Sequence, residues 1–268
     1  MEKSMDPKAG LYPWLYRSYE NLVHIQQHGR LPHALLLVGP QGIGMYELGQ
    51  SFAMFVLMIN SSNISESRAF KLLTAKTHPD YMEFFPFEDK TLISVDQIRE
   101  LTSRLSLTAQ LSAYKVALIS PAEAMHGAAA NALLKTLEEP AGDALIILIS
   151  HNIGLLPPTI RSRCHRMVVS LPEHQVALDW LQPKIEDSAE RYLELANGSP
   201  VTAKEFYDRK LAAQQDAMLK DLALLYQGEL AVFSIAQRWR DFDMAVCIVW
   251  LKQLVSSLIR HLMSDDST

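Results

Sequence analysis

Short, uninterrupted apolar runs alternate with longer amphipathic stretches from Leu35 to Ser150. That is the pattern of parallel strands buried on both faces and joined by helices. Leu35 to Val38, Val116 to Ser120 and Ala144 to Ser150 read as buried strands, and the aromatic-rich Tyr81 to Phe85 follows Pro79, which marks a boundary rather than a kink. Between them, Met45 to Ile59 predicts a buried helix in which Gly49 is a tolerated cost or a point of close packing. Ser94 and Gln97 have capping-box spacing and open a helix with Val95, Ile98, Leu101 and Leu105 on one face. Ala128 to Glu139 is a strong helix former ended by Pro140 and Gly142. Ahead of the first strand, Tyr19 to Gln27 sets Leu22, Val23 and Gln26 at helical spacing and stops at Gly29; Met167 to Val169 supplies a last short strand. The sum is an α/β domain with a mostly parallel sheet.

Beyond Pro172 the periodicity is helical throughout. Pro172 opens a helix carrying Val176, Leu178, Trp180 and Leu181, and a second runs from Ala189 to Ala196 until Asn197-Gly198-Ser199-Pro200 stops it. Leu211 to Tyr226, Leu230 to Trp239 and Met244 to Leu262 predict a small three-helix bundle. Val246, Val249, Trp250, Leu254, Leu258 and Ile259 give the last helix a broad apolar surface, which serves either as the bundle's own core or as a subunit contact. The expected domains are residues 1–166 (α/β), 167–208 (a small helical lid) and 209–268 (a short all-α bundle).

Composition narrows the function. A chain of 268 residues can bury one large core or several smaller ones, and a net charge of -5 argues against a free-standing nucleic-acid binder. Cys164 and Cys247 are the only cysteines, which fits a reduced, cytoplasmic protein and implies no structural zinc. Residues 1–10 lack an apolar signal core, and Phe52 to Ile59 is too short to span a bilayer, so no membrane association is expected. His24, His28 and His33 lie close in sequence but lack the acidic partner of a helical metal motif, and a solvated face is the better reading.

The candidate chemistry lies after the first strand. Gly39, Gly42 and Gly44 have the order of a phosphate-binding loop, but Met45 and Tyr46 stand where that loop needs a Lys for phosphate and a hydroxyl for Mg²⁺. The glycines alone retain backbone N–H groups that attract anions. At the end of the Val116 strand, where such ATPases carry Mg²⁺-binding acids, the chain has Ser120 and Pro121; Glu123 reads as an ordinary helix-start residue. Ser150 ends its strand at a position where polar sensing groups are placed in such folds.

Asn131-Ala-Leu-Leu-Lys-Thr-Leu-Glu-Glu-Pro140, followed by Arg161-Ser-Arg-Cys164, closely resembles the clamp-loader ATPase (AAA+) family, which includes the motor subunits of bacterial DNA polymerase III and non-hydrolysing relatives. Tyr12-Pro-Trp-Leu15, His33-Ala-Leu-Leu36 and Thr77-His-Pro-Asp-Tyr81 extend the resemblance over Leu11 to Pro200. It implies that Arg163 is an arginine finger acting in trans on a neighbour's ATP site, with Ser162 and Cys164 shaping and packing the turn. The implied partners are a gamma/tau-like motor subunit and a delta-like clamp-opening subunit, with a sliding clamp and primed DNA reached through the assembly. On the chemistry alone Arg163 could equally pair with a carboxylate of its own chain.

Two departures from the family stand out. Its four-Cys zinc module is missing from residues 58–76, so that stretch must rely on Phe70, Leu72 and Leu73. About 60 residues remain after Lys210, short for the family's helical collar. The expectation is a subunit that binds neither ATP nor zinc and hydrolyses nothing alone. The alternative is an autonomous ATPase in which Glu123 or Asp80 holds Mg²⁺.

Overall fold

The computed structural model describes residues 8, 10–59, 66–88, 90–140 and 142–265; of the stretch from Asn60 to Glu66, which the sequence marks as polar and turn-rich, all but Glu66 lies outside them. Five parallel strands form one sheet: β1 (Ala34–Val38), β2 (Tyr81–Phe84), β3 (Lys115–Ile119), β4 (Ala144–Ser150) and β5 (His165–Val168), in the order β2-β3-β4-β1-β5. Strand β1, next to the β5 edge, pairs with central β4 through Leu36 opposite Leu148 and with β5 through Leu36 opposite Arg166.

Strand alternation divides the apolar side chains between two cores. Leu35, Leu37, Val116, Leu118, Ile147 and Ile149 meet Leu22 of α1 (Tyr16–Gln27) and Leu48, Phe52 and Val56 of α2 (Met45–Ile59). Leu36, Ala117, Ile119, Ile146 and Leu148 face the opposite way, toward Ile98 and Leu101 of α4 (Val95–Leu105) and Leu133 of α5 (Gly127–Glu138). The capping box forms in full, with the Gln97 amide donating to Ser94 Oγ and Ser94 N donating to Gln97 Oε1. In the stretch without zinc ligands, α3 (Glu66–Thr74) buries Leu73 and packs Phe70 on the first core, leaving Leu72 half-buried. Gly49 is a point of close packing: a Cβ there would stand 3.1 Å from Leu118 Cδ1 and 3.2 Å from Ile149 Cδ1.

The chain divides into two compact units, residues 1–171 and 172–268. The 166/167 boundary drawn from sequence falls inside β5, whose ladder with β1 ties residues 165–168 to the sheet. In the second unit, α7 (His174–Leu181), α8 (Ala189–Leu195), α9 (Pro200–Asp208), α10 (Leu211–Tyr226) and α12 (Met244–Asp265) share one core, and α11 (Val232–Arg238) lies between the last two in sequence. Leu181, Leu193, Phe206, Met218 and Trp250 all belong to it, so the expected 167–208 and 209–268 segments are not separate in their packing. Pro200 does not end a helical region but opens α9, because its missing N–H and fixed φ suit the first helical position. Asn197 and Gly198, both at positive φ, make the turn before it.

The apolar surface of α12 is split between the two uses the sequence left open. Cys247 and Trp250 are buried in the core, whereas Val249, Leu258 and Ile259 are each about half exposed. By length and composition α12 is apolar enough to cross a bilayer, but it carries Lys252 and Arg260 and anchors the core of a helical unit through Trp250, whose indole donates to Leu195 O.

Candidate functional site

The glycine loop joins β1 to α2, and the chain's own side chains occupy it. A Cβ at Gly39 would lie 2.4 Å from Val169 O and 2.9 Å from Met45 Sδ, so the Met45 thioether folds back against the start of the loop. Met45 and Ile43 are 2% and 0% exposed and belong to the core shared by α1 and α2. Gly44 has φ +85°, and a Cβ there would stand 2.2 Å from the Tyr12 ring. Tyr12 stacks on Trp14 with ring centroids 5.0 Å apart, and the Trp14 indole donates to Ile43 O at 2.8 Å. The opening turn thus closes the loop from outside. With Met where a phosphate-binding loop carries Lys, the position packs hydrocarbon and offers no charge to an anion.

Tyr46 stands at the metal-ligand position and is committed elsewhere. Its hydroxyl donates to Glu83 Oε1 at 2.7 Å, and Tyr81 donates to the same oxygen at 2.7 Å. Lys76 Nζ reaches Glu83 Oε2 at 2.8 Å and Tyr46 Oη at 3.2 Å, and Gln50 Nε2 donates to Tyr46 Oη at 3.1 Å. Burial opposes ionisation of Glu83, but the bonds from Lys76, Tyr81 and Tyr46 outweigh it and hold the carboxyl below its ordinary range. Burial and the Glu83 bond push the Tyr46 phenol up to about 12. The cluster ties α2 to β2, and its members are scattered enough in sequence that no spacing reveals them.

Replacing Glu83 with Ala removes the shared acceptor of Tyr46, Tyr81, Gln50 and Lys76 and is expected to cost about 2–3 kcal/mol in urea denaturation at neutral pH. Because the folded carboxyl titrates below the unfolded one, its contribution is full above the ordinary carboxylate range and is lost as pH falls through the depressed value. The gap between wild type and Glu83→Ala therefore narrows under acid. A gap that widens there contradicts this assignment.

Of the acids that a substitute Mg²⁺ site would need, Asp80 is engaged through both oxygens and Glu123 through Oε1 alone, its buried Oε2 having no hydrogen-bond partner among the described residues. Asp80 is fully buried and accepts from the amides of Gln110, Leu111 and Ser112 at 2.7, 2.7 and 2.9 Å. Glu123 Oε1 accepts from the amides of His151 and Asn152 at 2.9 and 3.1 Å, so it links the turns after β3 and β4 instead of serving only as a helix-start residue. Ser150 is fully buried, and its carbonyl accepts from Gly39 N at 3.2 Å. Among the described residues, no three His, Cys, Asp or Glu side chains gather at metal-binding distance.

Arg163 lies just past the short helix α6 (Pro158–Arg161), ahead of β5. Its side chain is one-third exposed and pairs with Glu138 Oε1 at 2.5 Å, the last residue of α5. Nη1 also donates to Thr159 O at 2.9 Å and to Ser162 Oγ at 3.3 Å, while Ser162 Oγ donates to Thr159 O. The same-chain carboxylate partner weighed from sequence is therefore present, and it is Glu138. Cys164 packs against the core on the α4 and α5 side, and burial pushes its thiol up to about 11, far from a reactive thiolate at neutral pH. Sequence spacing gave no means of telling that Glu138, and not Glu139, faces this turn.

Fold and site together define a parallel α/β protein whose glycine loop after the first strand is filled by its own side chains. A family model described as DNA polymerase III, delta subunit, matches residues 15–173. DNA polymerase III subunit delta' of Pseudomonas aeruginosa is 36% identical over 265 residues, covering 96% of this chain and 80% of that protein. The Haemophilus influenzae delta' subunit is 29% identical over 266 residues, covering 97% and 80%. Among solved structures, a DNA polymerase III gamma subunit-related protein from Thermotoga maritima aligns over 89% of this chain and 78% of its own, with 23% identity and a TM-score of 0.48. The chain belongs to the delta' family of DNA polymerase III, clamp-loader subunits of DNA replication.

Proposed function

We propose that this chain is a non-hydrolysing arm of a cytoplasmic clamp loader, supplying Arg163 in trans to the ATP site of a gamma/tau-like motor subunit. A delta-like clamp-opening subunit is the neighbour on its other side, and the sliding clamp and primed DNA are reached through the assembly. The observation that carries this reading is the occupied loop: Met45 and Ile43 fill it while Arg163 stays accessible at the surface. A guanidinium offers five donors in a planar fork, so the bonds to Glu138, Thr159 and Ser162 leave others for a phosphate. The half-exposed face of α12 supplies further apolar contact area for a neighbouring subunit.

In this reading the chain requires neither nucleotide nor zinc of its own. Asp80 and Glu123, the acids that an autonomous ATPase would need, are engaged by backbone amides. Titration of the isolated chain with Mg-ATP in a calorimeter is expected to show no binding tighter than about 1 mM. Micromolar binding would overturn the nucleotide-free reading and favour an autonomous ATPase.

A further inference from the structure

We infer that Glu138 is a positioning residue for Arg163: it presets the guanidinium on the surface of this chain before a neighbouring ATP site is engaged. The inference rests on the reading of Arg163 as a trans-acting finger. Glu138 ends α5, where the helix dipole disfavours a carboxylate and favours a cation, and the Arg163 guanidinium meets both needs at one point. Two groups from different elements hold the fork, the Glu138 carboxylate through Nη2 and the Thr159 carbonyl through Nη1. One contact would leave the plane free to turn; two fix its plane and direction.

Ser162 Oγ supplies a third contact from within the turn. Three acceptors of this chain therefore hold one side chain. A flexible Arg would lose rotamer freedom on meeting a phosphate, whereas a preset one has already lost it on folding. Glu138 touches no substrate in this scheme and acts through Arg163 alone.

The test is the DNA- and clamp-stimulated ATPase of the reconstituted assembly with wild type, Glu138→Ala, Glu138→Gln, Arg163→Ala and the Glu138→Ala/Arg163→Ala double variant. Each is first checked for equal assembly and an unchanged melting temperature. Glu138→Ala is expected to lower kcat on the order of 10-fold with KM for ATP unchanged, because a misdirected fork weakens the transition state and not ground-state binding. Glu138→Gln keeps an acceptor and retains most of the rate. The double variant is expected to match Arg163→Ala.

Normal activity in Glu138→Ala together with a large loss in Arg163→Ala overturns the positioning role and leaves the finger intact. An increased rate in Glu138→Ala also overturns it, since the carboxylate would then be restraining the fork. Normal activity in Arg163→Ala removes the finger itself, and the positioning role with it. A double variant slower than Arg163→Ala shows Glu138 acting independently and rejects the inference.

Discussion

Arg163→Ala in the reconstituted assembly is expected to lower the stimulated ATPase rate by about 10²- to 10³-fold while the assembly forms normally. Fingers of this kind contribute roughly 10³ to 10⁵ in the GTPase systems where they are best measured. The low end is expected here because the Arg163 fork already bonds Glu138, Thr159 and Ser162, which it must share with a phosphate. Loss of the Glu138 pair is not expected to confound the result, since an ion pair with both partners this exposed contributes about 0–1 kcal/mol to stability. Arg163→Lys should recover little, because an ammonium brings the charge without the planar fork. Single-turnover hydrolysis at saturating ATP, with assembly verified by gel filtration, reads the effect on chemistry directly. An unchanged rate would reduce the chain to a scaffold.

The second large effect concerns stability. Asp80→Ala is expected to destabilise the first unit by about 3–5 kcal/mol and to lower its melting temperature by about 10 °C. Asp80 precedes β2, is fully buried, and accepts three consecutive amides from residues 110–112, directly ahead of β3. Its other backbone role is in the β2-β3 ladder, where Asp80 O accepts from Val116 N at 2.8 Å. Removing the carboxylate leaves three main-chain donors without their acceptor, and each carries its desolvation cost. Asp80→Asn keeps one strong acceptor and should lose less. Thermal and urea unfolding measure both variants; a loss below about 1 kcal/mol for Asp80→Ala would mean that water reaches these amides.

Much of the sheet was legible in the sequence because its signals are local. Strands buried on both faces are continuous apolar runs, and all the strand segments read from the sequence occur within one or two residues of their expected limits. The departures have specific causes. Helix α1 begins at Tyr16 and not Tyr19 because the turn from Pro13 to Leu15 leads straight into it. Helix α9 was hidden by Pro200, whose preference for a first helical turn looks the same in sequence as its tendency to end the helix before it. Helix α6 is too short to display a period.

The candidate site was legible only in part. Met45 and Tyr46 state on their face that no Lys and no small hydroxyl follow Gly44, and the motif around Arg163 marks its turn. What replaced the lost chemistry was not readable. Met45 packing into the loop under Tyr12, Tyr46 captured by Glu83 and Lys76, and Glu138 holding Arg163 join residues distant in sequence. The same holds for Glu123, whose place near a helix start concealed its bonds to the turn after β4.

By itself, then, the sequence determined the layered α/β plan, the helical second half and the absence of the phosphate-binding side chains, because hydrophobic period and residue chemistry are properties of the chain. Tertiary structure alone decided which carboxylate meets which donor, which half of α12's apolar surface is core, and that the empty-handed glycine loop is filled. Those outcomes depend on close packing between segments brought together only on folding, and no local pattern encodes them.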